Sequence, residues 1–319
     1  MKTMVTGGCG FIGSHLVKRL VDQGREVVVV DNESRGDKDR LLNLGFDRSF
    51  IKKNFKEVNF KDLYAPVGCF KDVDTVFHLA ARMGGIDTLH GSAEKELDIF
   101  AENLRIDANV FQLCRDNNVK KIVYTSSVAV YPTDNTIYRE DDFDGSQPDG
   151  GYGFAKVMAE YQLNLMKESC DIGIARLFNV YGENNSLDKT AFVIDKFIKQ
   201  MIREETVIVY DGMQTRSYLY ISDCIDALMK LEELAGGLPR LEFNIAHDKF
   251  VSINELAKKI KKISGKKAEV KHDFGKPTGP WSRIANIDSA KIHLKWEPKV
   301  GLDEGLKRTY KSVEKRLSK

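Results

Sequence analysis

A chain of 319 residues with 42% hydrophobic content can bury one large core or two medium ones. Its 49 basic and 47 acidic residues leave a net charge of +2 without any long block of one sign, which excludes the footprint of a nucleic-acid binder. No apolar run reaches membrane-span length, the first apolar segment is too short for a secretion signal, and the five cysteines and six histidines lack metal-ligand spacing, so the expectation is a cytoplasmic protein with reduced thiols and no metal.

The chain opens KTMVTGGCGFIGSHLVKRLVDQG. Met4-Val5 reads as a short strand and Gly7, Gly8, Gly10 and Gly13 as a tight turn. Phe11, Ile12, Leu16, Val17 and Leu20 then recur at helical spacing. Such a turn lets backbone approach a ligand closely, and the free N–H groups of the helix start point at an anion, here a dinucleotide diphosphate. The glycines satisfy Gly-x-Gly-x-x-Gly from Gly8 and Gly-x-x-Gly-x-x-Gly from Gly7, so spacing alone leaves the subfamily open. The next strand, Glu26 to Val30, ends at Asp31 with Asn32 beside it. An acid there accepts hydrogen bonds from a ribose diol and repels a 2′-phosphate, which selects NAD over NADP, with Arg35 keeping NADP open.

Further strands are predicted at Phe50-Ile51, Val76 to Leu79, Ile122 to Thr125 and Ile172 to Leu177, with helices at Glu94 to Asn117 and Tyr152 to Ser169. That alternation predicts an α/β fold, a Rossmann-type doubly wound parallel sheet whose ligands gather at the carboxyl ends of its strands. Asn54, expected just after the third strand, is a partner for the adenine edge. Leu79, Ala80 and Ala81 carry backbone past the nicotinamide ribose, and Met83, Gly84 and Gly85 open a substrate loop. Ser127 follows the fifth strand and Asn179 the sixth. Beyond Asn179 come a helix from Ala191 to Arg203, a strand at Val207 to Tyr210 and a strand at Phe243 to Ile245 that returns to the main sheet. The expected division is residues 1–178 plus 217–247 for the NAD-binding domain. Residues 179–216 plus 248–319 make a smaller α/β substrate-binding domain.

Tyr152 and Lys156 stand at i and i+4, on one face of a helix. An ammonium beside a phenol favours the phenolate and lowers its pKa, which makes an acid/base pair. With Ser127 donating to the same substrate oxygen and NAD accepting hydride, the set oxidises a secondary alcohol.

Together, VTGGCGFIGSHL, Asp31, HLAA (His78 to Ala81), Ser127, the Tyr152/Lys156 pair, RLFNVYG (Arg176 to Gly182) and DGMQTRSYLYISD (Asp211 to Asp223) resemble the extended short-chain dehydrogenase/reductase family of nucleotide-sugar epimerases and dehydratases. The resemblance implies a tightly held NAD, a nucleoside-diphosphate sugar substrate and a homodimer formed through two helices. It also implies that Asn179 contacts the sugar diphosphate and that Arg216 and Arg283 clamp phosphates. Family dehydratases and decarboxylases carry acidic residues just after the hydroxyl residue, where this chain has Val128 and Ala129. The segments at 82–85, 130–132 and 214–217 are similar to GDP-mannose 3,5-epimerase, but that enzyme's catalytic cysteine falls on Ala129, although Lys189 is present near the second acid/base position. What remains is oxidation at C4, which predicts a 4-epimerase working through a transient 4-keto sugar. A 4-dehydrogenase, or a 3,5-epimerase that recruits Asp87, His90 or Lys189, needs the same core residues. A non-catalytic NAD sensor on this fold needs only the cofactor half.

Overall fold

In the computed structural model the described residues are 1–62, 67–85, 89–133, 137–143, 147–188, 191–275 and 279–318. The strands in chain order are β1 (Lys2–Thr6), β2 (Glu26–Asp31), β3 (Phe55–Glu57), β4 (Thr75–His78), β5 (Lys121–Ser127), β6 (Ile137–Tyr138), β7 (Asp171–Leu177), β8 (Val180–Tyr181), β9 (Val207–Tyr210), β10 (Thr215–Ser217), β11 (Leu219–Tyr220), β12 (Glu242–Ile245), β13 (Phe250–Ser252), β14 (Val270–Asp273) and β15 (Ser282–Ala285). Seven of them form a parallel sheet in the order β12-β7-β5-β4-β1-β2-β3. The winding reverses between β1 and β4, where a doubly wound sheet opens a crevice at its carboxyl edge.

Because side chains alternate along a strand, the sheet feeds two cores. Val5, Val29 and Val123 pack with Leu16, Val17 and Leu20 of the helix Phe11–Asp22 and with Leu228 and Leu231 of the helix Ile221–Leu234. Met4, Val30 and Ile122 pack on the other face with Ile106 and Val110 of Ala93–Asp116 and with Ala159 and Leu163 of Gly150–Met166. Both faces are covered, so the strands read as unbroken apolar runs. The long helix Ala93–Asp116 starts at a Ser92 cap that accepts from Lys95 N–H, with Glu94 and Glu96 favourable at the positive end of its dipole.

The third strand departs from expectation. Phe50-Ile51 lies in the helix Arg48–Asn54, which starts where the Asp47 side chain accepts from Phe50 N–H and where Phe46 stacks on Phe50. Two apolar residues are too few to fix a period, and the cap decided for helix. Asn54 therefore ends a helix and precedes β3.

A second sheet, in the order β13-β10-β15-β6, stands at the carboxyl edge of the first. β6 comes from inside residues 1–178 and pairs with β15, so the expected chain division is crossed at Ile137–Tyr138. β12 returns to the main sheet beside β7, and no described helix is long and apolar enough to cross a membrane.

Candidate active site

The glycine turn is built so that no side chain fits. Gly7 takes φ +66°, and a Cβ on it would stand 2.9 Å from the Ala80 nitrogen. A Cβ on Gly13 would overlap the Gly7 carbonyl oxygen, which already accepts from Gly10 N–H at 2.9 Å. Phe11 and Ile12 begin the helix, and no side chain caps its first N–H groups. Gly7, Gly10, Asp31, Asn32, Leu79, Ala80 and Ala81 line one cleft. The Thr6 hydroxyl fixes its wall by accepting from Leu79 N–H at 3.1 Å and Ala80 N–H at 3.2 Å.

Asp31 is buried at the cleft's far end, where its two oxygens accept from Cys9 N–H at 2.9 Å and Glu33 N–H at 2.8 Å. Burial nonetheless pushes its carboxyl above the usual range, with those two bonds opposing the shift. Asn32 turns its oxygen to Ser34. Asn54 lies outside the cleft lining and donates to Phe50 O, while Val58, Asn59 and Phe60, just past β3, line the cleft instead. Placing the strand five residues later would have brought Asn59 to the expected position.

On the other side of the crevice, Ser127 closes β5 and accepts from Ala129 N–H at 3.2 Å. Tyr152 and Lys156 share one buried face of Gly150–Met166, with the Ser127 side chain close enough to the phenol to favour its charged form. The Lys156 ammonium lies 5.8 Å from the centre of the Tyr152 ring and donates to Tyr124 Oη at 2.8 Å and Thr125 O at 3.0 Å. The sequence predicts a phenol pKa lowered by this lysine, and the structure corrects that. Burial dominates and drives the phenol up, Asp107 adds to the rise, and only the Ser127 hydrogen bond and Arg35 oppose it. Burial likewise lowers the Lys156 pKa, against Asp107 and Glu160.

The substrate loop is held from both flanks. Asn103 bonds the Arg82 backbone through both side-chain atoms, at 2.8 and 2.9 Å, and Arg35 donates to Met83 O. Met83 is exposed, Gly84 is buried beside it, and Gly85 O accepts from Leu89 N–H at 3.0 Å. Asn179 donates to Ser217 O at 3.0 Å, which ties it to β10. Arg216 of β10 sits opposite Arg283 of β15. Arg283 pairs with Asp149, three residues before Tyr152, and His90 reaches the same carboxylate at 3.3 Å. Burial and the neighbouring Arg283 bring the Arg216 pKa down to about 10. Two half-buried guanidiniums at one register, with one carboxylate paired to Arg283, leave a local excess of positive charge suited to a diphosphate. Lys189 and Asp87 lie outside the described residues. Val128 and Ala129 are both buried and apolar.

A sequence profile of the NAD-dependent epimerase/dehydratase family matches residues 3–246, which takes in the whole seven-stranded sheet. The chain belongs to that family. Its relatives include a putative UDP-glucose 4-epimerase of Methanocaldococcus jannaschii, 31% identical over 96% of both chains. UDP-glucuronic acid decarboxylase 1 of Arabidopsis thaliana is 30% identical over 99% of this chain and 71% of its own length. Among solved structures, UDP-glucose 4-epimerase of Thermotoga maritima superposes with a TM-score of 0.87 at 28% identity, over 99% of this chain and 100% of the other. As a member of the epimerase/dehydratase family the protein is an NAD-dependent enzyme, and its cleft fits that cofactor. Cβ atoms at Gly7 and Gly13 would close the diphosphate cradle, the helix start has no side-chain cap in the way, and a buried carboxylate stands where a ribose diol is held.

Proposed function

We propose that this enzyme inverts C4 of a nucleoside-diphosphate sugar. The reading rests on one observation: Ser127, Tyr152 and Lys156 are assembled, while the neighbouring Val128 and Ala129 are buried and have no proton to transfer. The cofactor's part is to take up a hydride from C4 and give it back. Gly7, Gly10, Phe11, Ile12 and Gly13 hold its diphosphate, Asp31 and Asn32 its adenosine ribose, and Leu79, Ala80, Ala81 and Lys156 its other half. Tyr152 receives the 4-hydroxyl proton as the ketone forms and returns it when the carbinol is rebuilt, with Ser127 donating to the same oxygen. Met83, Gly84 and Gly85 bound the space in which the ketone turns, and Asn179, Arg216 and Arg283 retain the diphosphate while it does so. Because the hydride and the proton are each removed and restored once, the reaction needs no second acid/base.

A decarboxylase or dehydratase requires acidic residues where Val128 and Ala129 stand. A 3,5-epimerase requires a proton donor beside C3 or C5; His90 is the described candidate, but it is engaged by Asp149 and Glu96. A cofactor sensor has no use for the Ser127–Tyr152 pair. We further read a homodimer in the cytoplasm. Phe154, Met158, Tyr161 and Leu165 make an exposed apolar row along Gly150–Met166, and Leu97 is exposed on the neighbouring helix. The five cysteines are free.

The test is incubation of the purified protein with UDP-, GDP-, CDP- and dTDP-sugars in deuterated water. The expected product is a C4 epimer with no solvent deuterium on carbon. Label at C3 or C5, release of carbon dioxide, or net NADH would each refute it.

A further inference from the structure

Lys156 is fully buried, and a buried ammonium persists only if an anion is close by. Two carboxylates are candidates. Glu160, one turn further along the same helix, is closed off: Arg176 of β7 grips it with two bonds, at 3.0 and 2.6 Å, and Ser126 donates to it as well. Its charge is offset by that guanidinium. Asp107, on the helix Ala93–Asp116, is just as buried and is not met by any guanidinium among the described residues.

The hydrogen-bond directions around Asp107 can be worked out by elimination. Thr6 Oγ1 accepts from Leu79 N–H and Ala80 N–H, so its own proton goes to His78 Nδ1, 2.7 Å away. His78 therefore carries its proton on Nε2 and donates it to Asp107 Oδ1 at 3.0 Å. On the other side, Lys156 donates to Tyr124 Oη at 2.8 Å, and the Tyr124 hydroxyl donates to Asp107 Oδ2 at 2.9 Å. Every bond in the string points at Asp107. That is the pattern of an ionised carboxylate serving as acceptor only. Burial keeps His78 neutral, so Lys156 is the cation that balances it.

We propose that Asp107, acting through the Tyr124 hydroxyl, is the positioning residue that keeps Lys156 an ammonium and holds it beside Tyr152. The inference rests on the proposed use of Lys156 in C4 oxidation. The groups facing the lysine are Tyr152 and Glu160 on its own helix, Tyr124 on β5, Asp107 on the packed helix, His78 on β4 behind Asp107, and Arg176 on β7 behind Glu160. Without Asp107 they carry no anion that is not already neutralised. The string begins at Leu79 and Ala80, so the wall of the cofactor cleft and the catalytic ammonium are anchored on one carboxylate.

The test uses the full chain labelled with 13C-lysine. The Lys156 Cε resonance is assigned by its loss in Lys156→Arg and followed against pH without substrate. In Asp107→Asn, nearly isosteric and uncharged, the titration midpoint should fall by about one pH unit or more, and in Tyr124→Phe it should fall in the same direction. The high-pH limb of kcat should move down with it, so that above both midpoints Asp107→Asn is slower by about tenfold for each pH unit the midpoint falls, while below both midpoints kcat stays within about threefold and KM is unchanged. An unchanged midpoint in Asp107→Asn overturns the proposal. A fall in Asp107→Asn without one in Tyr124→Phe overturns the hydroxyl as the link. If Asp107→Asn does not fold, Tyr124→Phe, whose ring still packs on His78 and Phe111, decides alone: an unchanged midpoint overturns the proposal. The resonance is read without turnover, so a shifted midpoint in a protein that epimerises no sugar would sink the proposed function and leave this inference standing.

Discussion

Tyr152→Phe keeps the ring in its pocket and removes only the hydroxyl that faces Ser127. We expect kcat to fall by about 10² to 10⁴ with NAD affinity unchanged, measured by turnover and by calorimetric titration of the cofactor. Asp195 gives a second prediction at this scale, unconnected with catalysis. It is buried on the helix Val193–Ile202, accepts from Asn185 Nδ2 at 2.7 Å, and its other oxygen has no hydrogen-bond partner among the described residues. Burial pushes its carboxyl up to about 7. A carboxyl raised by folding lends stability below its unfolded value near 4 and loses it as pH climbs to the folded value. Asp195→Asn mimics the protonated form, so it should stabilise the protein at pH 8 by about 4 kcal/mol and make little difference near pH 4, read from denaturant melts at the two pH values. Tyr152, Lys156 and Ser127 were legible because a spacing of four and a strand end betray them. Asp107 and Tyr124 were not, since each lies on a separate element and only the fold brings them to the lysine.

Among the elements, the glycine turn is the proposed cradle of the cofactor's diphosphate. A methyl at Gly13 would overlap the Gly7 carbonyl and force the first turn of the helix away from β1. Gly13→Ala should therefore abolish the thermal stabilisation that saturating NAD gives the unaltered protein, a difference measured by melting with and without cofactor. The strands of the main sheet were legible where β-branched or apolar residues dominated several positions in succession, as with the four valines of Glu26–Asp31 and the Ile172, Ile174 and Ala175 of Asp171–Leu177. Phe50-Ile51 misled because two residues have no period and the Asp47 cap, a local hydrogen bond, took the segment into a helix. The same slip put Asn59, and not Asn54, in the lining of the cleft. β6 could not be anticipated: two residues pair with β15, nearly 150 positions later, and no local pattern encodes so distant a partner.

For the whole molecule, the proposed homodimer would form on the row of four exposed apolar side chains along Gly150–Met166, next to the helix that carries Asp107. Tyr161→Glu should leave the monomer folded and lower the sedimenting mass to that of one chain, whereas an unchanged mass would remove this face from the interface. In the proposed reaction one hydride leaves C4 and returns to it from the other side, with the buried, apolar Val128 and Ala129 beside it supplying no further proton. It is tested most directly with a nucleoside-diphosphate sugar carrying deuterium at C4, the product being read by NMR. The epimer should retain the deuterium at C4, with no reduced cofactor accumulating. Loss of the label from C4 of the epimer, or its appearance in released NADH, would contradict it.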